Sequence, residues 1–244
     1  ARGEVTITAT NENGDTARCI VYIISNNSTA ITLPSVQTGV SGTTLILKED
    51  GTVWASGNNS SYGQLGQGTT TGTSTELVQV KISENVYLTN VVQIASGANA
   101  FMALTKNGEV YAWGYGGDYH LGQGTDTSTK AYATKIPNLS NVITIAFTRQ
   151  NCAKAVTKKG EVYTWGTASA ALYQIGDNSI GRNGTPSKIS TISNVVDLSA
   201  GWDHIMMLKG DGTVWINGNG ASGQLGNNAT SNSRVPVQVR TSDG

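Results

Sequence analysis

The stretch Leu45–Gly66, LILKEDGTVWASGNNSSYGQLG, decides the fold because it recurs three times. The other copies are Met102–Gly122 (MALTKNGEVYAWGYGGDYHLG), Lys154–Gly176 (KAVTKKGEVYTWGTASAALYQIG) and Met206–Gly226 (MMLKGDGTVWINGNGASGQLG). Aligning them places Gly51, Gly108, Gly160 and Gly212 at one position, with separations of 57, 52 and 52 residues. A second glycine follows six residues later: Gly57, Gly114, Gly166 and Gly218. A third closes each copy: Gly66, Gly122, Gly176 and Gly226. Asp50-Gly51, Asn107-Gly108, Lys159-Gly160 and Asp211-Gly212 each stand between two strand-like runs. Asn-Gly and Asp-Gly favour the type I′ hairpin turn, whose positive φ only Gly, Asn and Asp adopt at low cost. These four glycines are therefore expected to be structural turn residues.

Working outward, three copies are preceded by an apolar run: Val91 (VVQIASG), Val142 (VITIAFT) and Val195 (VVDLSAG). Such β-branched runs are expected to be strands buried on both faces. A second strand follows over Phe101–Leu104 or Ile205–Leu208, then a third, rich in Val, Trp and Tyr, over Thr52–Ser56 and its equivalents. After the third glycine, about 20 polar residues lead to a last strand such as Leu77–Ile82 or Val235–Val239. No segment has a sustained 3.6-residue apolar period, so almost no helix is expected. Four strands per repeat of about 50 residues is the pattern of a propeller blade. The expected repeats are about 32–90, 91–141, 142–194 and 195–240, within a region 32–244.

Asp50-Gly51-Thr-Val-Trp54 with Gly63-Gln-Leu-Gly66, and Asp211-Gly212-Thr-Val-Trp215 with Gly223-Gln-Leu-Gly226, resemble the repeat of the regulator of chromosome condensation family. Gly201-Trp-Asp-His204 resembles that family's Gly-x-x-His element. The resemblance runs from Thr32 to Arg240. It implies one β-propeller blade per repeat, in rings usually of seven, so four repeats are an incomplete ring.

Residues 1–24 differ. Gly3–Thr10 and Thr16–Ile23 alternate apolar and polar residues around Asn13-Gly14, the pattern of one hairpin. This text resembles the end of a bacterial immunoglobulin-like (group 2) domain, in which Cys19 matches a frequent lone cysteine. Residues 25–31, polar and containing Asn26-Asn27-Ser28, read as a linker. The fold class is thus all-β: propeller-type blades preceded by a β-hairpin of an immunoglobulin-like sandwich.

Composition narrows the function. Among 244 residues, 16 Lys and Arg balance 16 Asp and Glu, and charged residues make up 13%. A phosphate-reading face needs excess cations, so no nucleic-acid partner is expected. No apolar run is long enough to span a membrane as a helix, and no membrane insertion is expected. Two cysteines, Cys19 and Cys152, are no disulfide framework and leave their pairing open. Without Cys/His clusters or a calcium-loop pattern, no metal or other cofactor is expected.

For each candidate site a packing role competes with a chemical one. Gly218-Asn-Gly220-Ala-Ser-Gly223 has the spacing of a dinucleotide loop, but Gln224-Leu-Gly-Asn-Asn cannot open an amphipathic helix. His204 neighbours Asp203, and the family resemblance gives it a structural role between strands. His120 occupies the position of Gln64, Gln174 and Gln224, and is expected to make the backbone-directed bond of those amides. With no partner cluster for either histidine, no catalytic residue is assigned. Trp54, Tyr111, Tyr163 and Trp215 recur at one position, as do Trp113 and Trp165 at another, which points to packing between blades. Tyr62, Tyr115, Tyr119, Tyr173 and Trp202 do not recur. They fall in Gly-, Ser- and Asn-rich loops, where a protein-contact surface is expected.

The resulting expectation is a non-enzymatic binding or assembly module of a bacterial extracellular or cell-surface protein. Its partner is another protein or copies of itself, joined head to tail; a glycan ligand stays open. The alternatives are a propeller that acts as an inhibitor or exchange factor on a partner protein, as members of the resembled family do, and a fragment of a propeller lyase or hydrolase.

Overall fold

The computed structural model describes residues 3–10, 16–23, 32–39, 41–149, 152–168, 176–177 and 181–240. The chain divides into two units, Ala1–Ile31 and Thr32–Gly244. In the first, β1 (Gly3–Thr10) pairs antiparallel with β2 (Thr16–Ile23), from Gly3 opposite Ile23 to Thr10 opposite Thr16. The expected turn at Asn13-Gly14 and the linker at 25–31 lie outside the described residues.

The second unit holds four antiparallel sheets of four strands each, in sequential order. Blade 1 is β3 (Ser35–Thr38), β4 (Thr43–Leu47), β5 (Val53–Asn58) and β6 (Thr73–Gln79). A two-stranded hairpin follows, β7 (Lys81–Ser83) with β8 (Val86–Tyr87). Blade 2 is β9 (Val91–Ser96), β10 (Ala100–Thr105), β11 (Val110–Gly114) and β12 (Lys130–Lys135). Blade 3 is β13 (Val142–Phe147), β14 (Cys152–Thr157), β15 (Val162–Ala168) and β16 (Gly181–Lys188). Blade 4 is β17 (Val195–Ala200), β18 (His204–Lys209), β19 (Val214–Gly218) and β20 (Ser233–Gln238). No helix occurs among the described residues. Pro186 and Pro236 lie in β16 and β20, the outer strands of their sheets, where a missing N–H costs no ladder bond on the free edge.

Neighbouring blades pack face to face, and three apolar layers lie between them. Leu45, Leu47, Val53 and Ala55 of blade 1 meet Phe101, Ala103 and Trp113 of blade 2. Met102, Leu104 and Ala112 on the other face of blade 2 meet Ala153, Ala155 and Trp165 of blade 3. Cys152, Val156 and Val162 meet Ile205 and Met207 of blade 4. Alternation therefore serves two layers at once in the middle blades, and β10 and β14 are buried at every position.

The expectation that the apolar first strands are buried on both faces is met by β13, buried at every position but Ile143, and corrected by β9 and β17, which are not. In β9, Gln93 and Ser96 are only half-buried because they border a central cavity. In β17, Val196, Asp197 and Ser199 are exposed, because they belong to the face of blade 4 that no described blade covers. Blade 1 has its first strand too, over the polar text Ser-Val-Gln-Thr, which the apolar-run criterion passes over. The longer first spacing, 57 against 52, accommodates the β7–β8 hairpin.

Candidate binding face

Antiparallel order fixes which loops share a side. The connections β3–β4, β5–β6 and their equivalents emerge on one face, and the tight turns between second and third strands emerge on the other. Gly51, Gly108, Gly160 and Gly212 belong to the turn side, with φ of 79, 77, 73 and 84°. Three of them clasp the next blade. Val91 N donates to Gly51 O (3.0 Å), Val142 N to Gly108 O (3.1 Å) and Val195 N to Gly160 O (3.1 Å). The residues preceding those valines, Asn90, Asn141 and Asn194, also have positive φ, from 56 to 59°. A Cβ on Gly108 would lie 2.9 Å from Asn141 Cα, whereas one on Gly212 would meet nothing within 4 Å.

Tyr62, Tyr115, Tyr119 and Trp202 are on the opposite, loop side; Tyr173 lies outside the described residues. The long loops after β5 and β11 lean onto the next blade. Gly68 N donates to Ala131 O of β12 (2.9 Å), and Gly124 N to Gly184 O of β16 (2.9 Å). Buried Asn59 ties the first of these loops: its Nδ2 donates to Thr69 O (2.9 Å), and its Oδ1 accepts from Leu65 N (2.9 Å). The loops are thus held, and aromatics of three blades come together beside them. The rings of Tyr62 and Tyr115 are 4.9 Å apart, Tyr115 and His120 5.6 Å, and His120 and Phe147 5.8 Å. Tyr119 holds φ 62°, uncommon for a bulky side chain.

His120 is fully buried, and neither ring nitrogen has a hydrogen-bond partner of normal geometry among the described residues. Gln64 is likewise buried, and its side chain has no hydrogen-bond partner among the described residues. The expected amide-like bond is therefore absent at these two positions, although Gln224 Oε1 does accept from Ser222 N (2.8 Å). The backbone is used instead. Trp113 Nε1 donates to Gln64 O and Trp165 Nε1 to His120 O, both at 2.9 Å. Each indole of a following blade anchors the loop of the blade before it, so the position is selected for fit beneath an indole and not for side-chain bonding. Burial pushes the imidazole of His120 down to about 4, against an opposing pull from Asp118 and the Tyr115 backbone.

His204 Nδ1 lies 3.4 Å from Asp203 Oδ1, and Asp203 Oδ2 accepts from Asn219 Nδ2 at 2.6 Å. Its ring covers Gly201, where a Cβ would come within 2.5 Å of it. The pair closes the β17–β18 loop. Asp118 pairs with Arg182 (3.6 Å) and Asp126 with Lys130 (2.5 Å). No group of three or more His, Cys, Asp or Glu able to hold a metal occurs among the described residues. After Gly218-Asn-Gly220-Ala-Ser-Gly223 the chain makes turns, not a helix, so no helix terminus is offered to a phosphate. Cys152 is a free thiol, buried, with burial pushing it up. Lys154, missed in the sequence, is buried beside it, donates to Thr164 Oγ1 (3.4 Å), and is held down to about 8 by burial.

The loop-side ends of the first strands, with the residues that follow them, line an open central cavity of about 710 Å³. Gln37, Thr38, Gln93, Ser96, Phe147 and Ser199 contribute to its wall. Arg149 and Trp202 stand at its rim, the guanidinium 4.0 Å from the centroid of the indole. Arg149 was missed in the sequence, yet a signal was there. Thr148-Arg149 aligns with Gly97-Ala98 and Gly201-Trp202, so Arg149 and Trp202 hold one position in adjacent repeats.

Comparison with known proteins agrees with this architecture. The repeat described as Regulator of chromosome condensation (RCC1) repeat matches residues 50–104, 107–153, 159–208 and 211–244, and a second description of it matches 91–120 and 195–224. The chain is 36% identical over 126 residues to the human E3 ubiquitin-protein ligase HERC2, covering 51% of this chain and 2% of that protein. It is 30% identical over 203 residues to the Arabidopsis thaliana Ultraviolet-B receptor UVR8, covering 82% and 44%. A yeast RCC1 (Prp20), solved bound to Kap60, superimposes with a TM-score of 0.69 at 19% identity, covering 93% of this chain and 52% of that one. The chain thus spans about half the length, or less, of these relatives.

Proposed function

The chain belongs to the RCC1 repeat family, and from that premise we propose that it is a non-enzymatic, protein-binding propeller module whose contact surface is the loop face. One observation carries this reading: the non-recurring aromatics Tyr62, Tyr115, Tyr119 and Trp202 all emerge on the face where the central cavity opens. Residues that repeat are needed by every blade, and those that do not repeat are left to recognise something else. The yeast relative solved with a protein bound to it supports the class of partner. The ligase activity in the name of HERC2 is not carried over, because the chain covers 2% of that protein. A bacterial extracellular or cell-surface setting remains our proposal, supported by the leading hairpin's text and the low charge content.

The test is selection of peptide or small-domain binders against the purified chain. Alanine at Tyr62, Tyr115 or Trp202 should weaken most of them, while Glu49→Ala and Lys106→Ala on the turn side should not. Binders that consistently track the turn side would overturn the reading.

A second reading rests on the outer faces of the end blades. Met206 and Leu208 of blade 4 are 40% and 38% exposed, and Val36 of blade 1 is 67% exposed. Apolar sheet faces of this kind favour a partner, and we propose that copies of the chain join head to tail through them.

A further inference from the structure

Arg149 is, among the described residues, the one charged residue that borders the cavity; the other polar side chains of its lining are neutral, from Gln37, Thr38, Gln93, Ser96 and Ser199. Among the described residues no carboxylate pairs with Arg149, whose guanidinium packs on the ring of Trp202. An arginine stacked on an indole keeps its N–H edge free in the plane of the guanidinium and loses little freedom on forming a two-pronged bond. The wall below is fixed. Gln93 Nε2 donates to Ile145 O (3.0 Å) and its Oε1 accepts from Ile145 N (2.9 Å), which couples the first strands of blades 2 and 3. Ser96 Oγ donates to Thr38 O (3.2 Å), which couples blades 1 and 2. The volume suits a short segment, since ligand cavities commonly span about 300–1,000 Å³.

We propose that this rim is a carboxylate-recognition site that takes an Asp or Glu side chain of a partner's peptide segment. The acid would bridge the Arg149 fork while the segment's neutral remainder rests against the hydroxyls and amides of the wall. The inference deepens the loop-face reading and rests on it.

The probe is a fluorescently labelled hexaglutamate peptide, acetylated and amidated so that only side chains carry charge, compared with its hexaglutamine counterpart by anisotropy. Charge-assisted bonds to a stacked arginine predict that hexaglutamate binds at least about tenfold tighter. Arg149→Gln should abolish that preference. Arg149→Lys, which keeps the charge but loses the fork, should recover only a small part of it. Trp202→Ala should weaken it, and the melting temperature should not move in any of the three. Equal binding of the two peptides, or a preference untouched by Arg149→Gln, overturns the site. So does binding of a uronic-acid oligosaccharide in place of the peptide. If selected binders respond to Tyr62 and Tyr115 but never to Arg149, the loop-face reading stands and the carboxylate site falls.

Discussion

Gly108 and Gly212 have nearly the same backbone, φ 77 and 84°, yet different surroundings. Alanine at either position pays for a positive φ, about 1 kcal/mol. At Gly108 the new Cβ also presses on the Asn141 backbone, and crowding of that kind costs about 1–3 kcal/mol more. Denaturant melts of Gly108→Ala and Gly212→Ala should therefore differ by at least about 1 kcal/mol, with Gly108→Ala the weaker; Gly108→Val should be worse still. Equal losses would mean that the clasp contributes nothing. His120 makes a second residue-scale prediction. Its folded-state value, near 4, lies below the ordinary 6.5, so the unfolded chain takes up a proton that the folded chain refuses. Stability is then intact above pH 6.5 and falls as the pH drops toward 4, by about 2–3 kcal/mol at pH 4.5. His120→Gln, which installs the residue found at Gln64, should remove that part of the pH dependence. A variant with an unchanged pH profile would contradict it.

The element scale is governed by what one blade lends its neighbour. Trp113→Phe deprives the Gln64 carbonyl of its indole donor in a buried place, which costs about 1–3 kcal/mol. Trp54 stands on the uncovered face of blade 1, under Lys48 at 3.9 Å, and Trp54→Phe should cost about 0.5 kcal/mol or less. Thermal melts of the two variants check the contrast. Much of this scale was legible in the sequence, because a turn such as Asn107-Gly108 and a strand such as Val110–Gly114 are specified locally. What was not legible depends on neighbours. Ser35–Thr38 carries no apolar run because its strand lines a cavity, so the criterion that found the Val91 run could not find it. His120 reads as a hydrogen-bonding equivalent of Gln64 until the indole beneath its carbonyl is seen. Tyr62, Tyr115 and Trp202 could be picked out as non-recurring, but that Tyr62 touches Tyr115 while Trp202 meets Arg149 follows only from blade adjacency.

At the scale of the whole propeller unit, each blade meets only its sequence neighbours, so middle and end blades should differ in stability. Native-state hydrogen exchange should be slowest in β10 and β14 and faster in β4 and β18; uniform protection would count against this. Head-to-tail joining predicts multiples of the single-chain mass in dilute solution, and a stable monomer at micromolar concentration would sink it. Any such joint has a defect written into it. Blades 2 and 3 each send an indole backwards, but Ser56 occupies that position in blade 1. A copy that docks its first blade onto another's fourth would leave the Gln224 carbonyl without an indole donor, so the joint between molecules is a perforation line, weaker than the two internal joints that Trp113 and Trp165 bridge. Ser56→Trp should close it and shift the mass distribution toward longer arrays.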